Sequence, residues 1–104
     1  MSTVVKDNQL AHRYELFDDG ELVGVADYEI SGDRMAVLHV EIVESRSNQG
    51  LGRTLVGSVF DDARSRDLYV LPMCSYARAV VARNRAQYLD LVPVDVRADF
   101  GLAI

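Results

Sequence analysis

The sequence predicts an α+β domain: a mixed, mostly antiparallel sheet built around a central β-α-β unit, with two main helices. Three observations carry this prediction. Strand-like runs separated by Asp18-Asp19-Gly20 and Ser31-Gly32-Asp33 turns fill the first part of the chain. After Gly50 the apolar period changes from that of a strand to that of a helix. A short continuous apolar run, Leu68-Tyr69-Val70-Leu71, then follows the helix, the pattern of a strand buried on both faces and parallel to the one before the helix.

Each element follows from local chemistry. Leu10 to Phe17 reads as a strand, and Asp18-Asp19-Gly20 supplies a turn whose glycine takes positive φ without strain. Leu22 to Ile30 is its partner, with Leu22, Gly24, Ala26, Tyr28 and Ile30 on one face and Val23, Val25, Asp27 and Glu29 on the other. Met35 to Val43 completes a three-stranded meander. From Gly50 to about Arg66, Leu51, Leu55, Val59 and Ala63 recur at helical spacing with Val56 and Phe60 beside them, giving one apolar stripe to pack on the sheet. Pro72 ends the strand that follows, and Ser75 is read as the N-cap of a second helix over Tyr76 to Asn84. Tyr88 to Val92 reads as a further strand or helical turn, and the tail from Val94 to Ile104 as either an edge strand or a docked extension. We expect a single domain over residues 1–104, with its core at about 10–92 and a C-terminal extension at 93–104.

Composition narrows the function classes. With 104 residues, 49% of them hydrophobic, the chain has enough apolar material for one core. A net charge of -5 argues against a protein that grips nucleic acid. The apolar runs are too interrupted to cross a membrane, and the N-terminus carries no signal-peptide core, so a cytoplasmic location is expected. A single cysteine, Cys74, agrees with a reducing compartment and supplies no multi-cysteine metal site; no metal is expected.

Three groups of residues carry chemistry. Ser47-Asn48-Gln49-Gly50-Leu51-Gly52-Arg53-Thr54 links a strand to a helix, where glycines admit a ligand close to the backbone and the unpaired N–H groups of the first turn attract anions. The stretch is not a P-loop and lacks the spacing of a dinucleotide fingerprint, so it reads as a pyrophosphate cradle of backbone amides or as a tightly packed turn. His39 and Glu41 share a face of the preceding strand, as a general base or as a solvated cross-strand pair. Cys74 lies just before a helix N-terminus, where a thiolate is favoured, or it acts as a small hydrophobe.

In order, Leu38-His39-Val40-Glu41-Ile42-Val43, Asn48-Gln49-Gly50-Leu51-Gly52, Leu71-Pro72-Met73-Cys74-Ser75-Tyr76-Ala77 and Tyr88-Leu89-Asp90-Leu91-Val92 resemble the small single-domain acetyltransferases of the GNAT superfamily, the compact group with a Pro-x-Cys-Ser/Thr-Tyr segment. The resemblance implies that acetyl-CoA is the cosubstrate. Its pyrophosphate is expected on Gln49, Gly50, Leu51, Gly52, Arg53 and Thr54, and its pantetheine arm along the backbone of Ile42 and Val43. Ser75 and Asn84, near the two ends of the second helix, join the cofactor-binding set, while Cys74, His39 and Glu41 form the catalytic set at the acetyl end. Two departures stand out. Ser47 and Asn48 occupy places where the superfamily usually has Arg or Gln and often Gly, and Arg85-Ala86-Gln87-Tyr88 replaces His-Pro-Glu-Tyr. Arg46, one residue early, is a candidate to compensate for the first.

The implied function is N-acetyl transfer from acetyl-CoA to an amine acceptor, a small molecule or a protein lysine, by direct attack or through an acetylated Cys74. The alternative is an acyl-CoA-binding or protein-interaction module with little catalysis. A monomer or weak homodimer is expected.

Overall fold

The computed structural model describes residues 2–103; Met1 and Ile104, the two ends of the expected domain, lie outside the described residues. The strands are β1 Thr3–Asn8, β2 Arg13–Asp18, β3 Glu21–Ser31, β4 Arg34–Ile42 and β5 Tyr69–Pro72. They form one five-stranded sheet in the order β1-β2-β3-β4-β5. All neighbours are antiparallel except β4 and β5, which run parallel. The helices are α1 Leu51–Ser65, α2 Ser75–Arg83 and the single turn α3 Arg85–Tyr88, followed by 3-10 turns at Leu89–Leu91 and Val94–Phe100. The fold class is therefore α+β, with β4-α1-β5 as its β-α-β unit.

The α1 stripe read from the sequence packs as expected. Leu51, Leu55, Val56, Val59, Phe60 and Ala63 are all buried, against Leu16, Val23, Ala26, Met35, Val37 and Val70 of the sheet. Phe60 meets Tyr88 edge to face, with ring centroids 5.0 Å apart, which ties α3 to α1. Arg64 adds a two-pronged bond to Asp90, at 2.7 and 3.1 Å. That bond holds the Asp90 carboxyl below its usual range. The opposite face of the sheet carries Arg13, Glu15, Asp27, His39 and Glu41, which stay half-buried or exposed.

Several elements differ from the sequence reading. The first strand begins at Arg13 and not at Leu10, which is fully exposed in a 3-10 turn, and a further strand, β1, precedes it. β1 was hidden because one of its inward positions is Asp7, a charge that reads as surface. In the fold Tyr28 Oη donates to Asp7 Oδ1 at 2.6 Å, Arg66 reaches Asp7 Oδ2 at 3.3 Å, and Tyr14 Oη donates to Asp62 on α1. The polar staple does for β1 what apolar side chains do elsewhere.

Two β-bulges rearrange the predicted faces. Between Leu16 and Phe17 the pairing with β3 slips by one residue, so Val23 is buried beside Gly24 while Leu22 is exposed. Between Asp27 and Tyr28 the pairing with β4 slips again, leaving Leu38 as the extra residue. Met35 and Val37 before it, and Val40 and Ile42 after it, all face α1, whereas Ala36 and Leu38 do not share a face with Val40 and Ile42 as the alternation predicts. β5 is shifted to Tyr69–Pro72 and has one open face, since Tyr69 is exposed opposite the buried Val70. The cap of α2 is Cys74, and Ser75 is its first helical residue. Tyr88 to Val92 is helical turn and not strand, and the tail docks: Leu102 is buried, with its carbonyl on Arg85 Nη1 at 3.0 Å.

Burial first, and the bond to Asp7 second, push the Tyr28 hydroxyl from 10.0 up to about 12. Tyr14 is raised as well, by burial and then by Asp62. Because the folded state favours the neutral phenols, their contribution is intact below about pH 10 and is lost as pH rises towards about 12. The urea midpoint is expected to fall across that window, and Tyr28→Phe to fall less steeply; parallel curves for the two proteins would refute the assignment.

Candidate functional site

The site forms where β4 and β5 part. Their parallel pairing ends at Val37 and Pro72, where the chain turns away into α2; the nitrogen of Pro72 faces the outer edge of β5, where no ladder bond is needed. The N–H groups of Met73 and Cys74 both end on the Val37 carbonyl, at 3.1 Å each. Beyond Val37, therefore, β4 runs on to Ile42 with no strand on its β5 side among the described residues.

A pocket of about 310 Å³ opens against that free edge. Val40 and Ile42 form one wall, Gly50, Leu51 and Gly52 at the start of α1 form the floor, and Arg46, Ser47, Asn48 and Tyr76 close the sides. Gly50 caps α1 at φ 76°, with no side-chain hydrogen bond to the cap among the described residues. Thr54 N–H is the first to bond back, to the Gly50 carbonyl at 3.2 Å. The N–H groups of Leu51, Gly52 and Arg53 thus lack intrahelical partners, and Leu51 and Gly52 line the pocket, with the positive end of the helix dipole behind them. A Cβ at Gly52 would lie 2.8 Å from Tyr76 Oη, so any other residue there pushes the exposed Tyr76 side chain aside.

Asn48 explains how the loop keeps its shape without a glycine at that place. It adopts φ 64°, the left-handed region that asparagine tolerates better than most residues. Arg46 does not extend freely into the pocket to compensate for Ser47. Its guanidinium is bonded to Asp18 and, at 3.0 Å, to Glu21, and the Asp18 bond foremost raises its pKa.

The predicted residues fall into two groups. Gly50, Leu51, Gly52 and Ile42 line the pocket, joined by Val40 and Tyr76, which the sequence reading left out of its site. Tyr76 was legible only as part of a motif, since nothing in the sequence shows a side chain of α2 crossing to Gly52. Gln49 is exposed beside the pocket, and Thr54 is turned inward on its own helix, its Oγ1 bonded to the Gly50 carbonyl. The Arg53 side chain folds back along α1 onto the Tyr88 ring, 5.3 Å from its centroid. Val43 has both backbone groups engaged, with Val23 and Arg46, so backbone contacts from this strand fall to the residues before it. Asn84 is spent joining α2 to α3: its amide donates to Val80 and its carbonyl accepts from Gln87 and Tyr88. Ser75 is exposed at the start of α2.

His39 and Glu41 lie on the other face of β4 from Val40 and Ile42, opposite Asp27 and Val25 of β3. Both are exposed, and His39 Nε2 lies 3.1 Å from Glu41 Oε1. An ionised carboxylate only accepts, so this contact places the proton of neutral His39 on Nε2 and leaves Nδ1 with a free lone pair. Cys74 is half-buried beside the core, at the cap of α2. The sheet therefore separates the pocket on one face from His39 and Glu41 on the other, and the parting of β4 and β5 lies between them.

Among known proteins, residues 13–91 match the family described as GCN5-related N-acetyl-transferase. The fold superposes on that of a GCN5-like protein from Staphylococcus aureus with a TM-score of 0.65 at 18% identity, over 86% of this chain and 87% of that one. It also superposes on the ribosomal-protein-S18-alanine N-acetyltransferase from Escherichia coli with a TM-score of 0.53 at 23% identity, over 76% of this chain and 50% of that one. At these identities the two structures establish the fold. No curated protein matches the chain in sequence.

The backbone at Gly50 generates a prediction that needs no ligand. At φ 76° an alanine is strained, and Gly50→Ala is expected to cost about 1 to 2 kcal/mol in urea unfolding. A variant as stable as the parent would show that the left-handed cap is not required.

Proposed function

The chain belongs to the GCN5-related N-acetyltransferase family, and from that premise we propose that it transfers the acetyl group of acetyl-CoA to an amine that approaches the open face of the sheet. The observation that carries this reading is the pairing, in one pocket, of an uncapped helix N-terminus with an unpartnered strand edge. The first suits a pyrophosphate, and the second suits the amide groups of a pantetheine arm.

In this reading the N–H groups of Leu51, Gly52 and Arg53 hold the pyrophosphate, and Val40 and Ile42 flank the pantetheine arm. The cosubstrate supplies an activated thioester. Its acetyl end reaches the gap beyond Val37, where the backbone N–H groups of the unpaired edge are available to an oxyanion. His39 Nδ1 takes the proton from the incoming ammonium, and Glu41, bonded to Nε2, holds the imidazole in that tautomer. Cys74 borders the gap without being needed for direct attack. No described helix covers His39 and Glu41, which suits an acceptor as large as a protein lysine or a small amine. Residues 1–104 act as one domain, with the C-terminal segment docked on its core.

A panel of amines with acetyl-CoA, read by CoA release, is the direct test. His39→Gln is expected to lower kcat about 100-fold or more while leaving the KM for acetyl-CoA near its parental value, the size of a lost general base. Cys74→Ser is expected to retain turnover. Absence of CoA binding by calorimetry at millimolar ligand would sink the proposal, and loss of turnover in Cys74→Ser with intact CoA binding would replace direct attack by an acetyl-cysteine route.

Independently of turnover, Gly52→Ala is expected to weaken CoA binding about tenfold or more with little change in unfolding midpoint, because the added methyl meets the exposed Tyr76 hydroxyl and narrows the cradle. Undiminished binding would place the ligand elsewhere.

A further inference from the structure

The turn between β2 and β3 sets two carboxylates side by side. Asp19 and Gly20 take φ 50° and 86°, the geometry of a two-residue turn with both residues left-handed, which puts Asp18 directly opposite Glu21. Like charges in facing positions repel, and Arg46 lies between them, bonded to both. The two bonds are unequal. Asp18 is only 4% exposed, and its second oxygen, Oδ1, has no partner among the described residues, so losing Arg46 would leave a buried charge uncompensated. The Glu21 side chain is 64% exposed, and water competes for its bond at 3.0 Å.

Arg46 also stands in the wall of the pocket, next to the start of α1. Asp18 therefore fixes where the guanidinium sits, while the edge held by Glu21 is exchangeable. We propose that Glu21 is a place-holder: it occupies the edge of Arg46 that the pyrophosphate of the cosubstrate takes on binding, and Asp18 keeps the guanidinium in reach. This rests on the acetyl-CoA reading given above. It makes Arg46 a binding residue and Glu21 a negative determinant of affinity. Guanidinium suits the exchange because its fork bonds carboxylate and phosphate with the same geometry.

Calorimetry with CoA and with dephospho-CoA, which keeps the pyrophosphate and lacks the 3′-phosphate, tests the idea without an acceptor. Glu21→Gln is expected to tighten binding of both ligands about two- to fivefold at low ionic strength, a gain that a purely structural role for Glu21 would not produce. The exposed Glu44, which forms no ion pair with Arg46 among the described residues, is the charge control: Glu44→Gln is expected to leave affinity unchanged. In an Arg46→Lys background, which keeps a cation beside Asp18 but loses the fork, the gain from Glu21→Gln is expected to disappear.

Unchanged or weaker binding by Glu21→Gln, an equal gain from Glu44→Gln, or a gain with CoA alone overturns the place-holder while leaving the acetyl-CoA reading standing. No CoA binding by the parent protein overturns both.

Discussion

The Val37 carbonyl accepts two backbone N–H groups, from Met73 and Cys74, and the geometry around it governs the rest of the site. A parallel ladder needs each strand to alternate donor and acceptor. Met73 N–H makes the last bond of that pattern, and placing Cys74 N–H on the same acceptor draws the chain off the sheet within one residue. β4 is consequently left with an open edge, and α2 begins where a fifth strand would have continued. Had the pairing run on to Ile42, the edge would be filled and the pocket beside α1 would lose a wall. The bulge at Leu38 acts at the same level. By shifting the side-chain alternation, it turns Val40 and Ile42 towards α1 and His39 and Glu41 away from it.

These facts mark the boundary of what the sequence discloses. Helix α1, its apolar stripe and the two-residue turn at Asp19-Gly20 were legible because each rests on local chemistry: a period, a glycine, a cap. The bulges were not. A strict alternation along residues 35 to 43 is the economical reading, and nothing local announces that Leu38 is the extra residue; only the pairing with Asp27 and Tyr28 does. Strand β1 was missed for a related reason, since its inward Asp7 is bonded to Tyr28 and Arg66, residues far away in sequence. Within the site, the left-handed conformation at Gly50 follows from its residue type, whereas Asn48 stood in the sequence only as a departure from glycine and its left-handed φ is seen in the fold. Tyr76 and Arg46 could not be placed, because what fixes them is a contact between separate elements.

The same division explains why residues taken together in the sequence sit apart in the fold. His39, Glu41 and Cys74 lie near the parting of two strands, yet His39 and Glu41 belong to one face and the pocket to the other. A site spread over both faces of a sheet requires a gap to connect them, and the gap is what the shortened pairing of β4 with β5 provides. The strand break thus serves two ends at once: it exposes backbone on one side and gives the other side access to it.

The proposed binding of a polyanion by a chain of net charge -5 is at odds with itself only when charge is summed over the molecule. The cradle relies on uncharged N–H groups whose alignment in α1 gives a partial positive charge, a field that falls off within about a turn of the helix end. Many of the acidic side chains are neutralised where they stand: Asp7 and Asp62 by Arg66, Glu15 by Arg13, Asp90 by Arg64, and Asp18 with Glu21 by Arg46. Beyond about 8 to 10 Å, solution ions screen the remainder. In the proposed complex the anion would meet a local field set by backbone direction and by one arginine already paired at both edges. Held between two carboxylates, that arginine adds little net positive charge to the pocket, and in the exchange proposed above its fork would turn to the ligand only as Glu21, the weaker partner, is displaced.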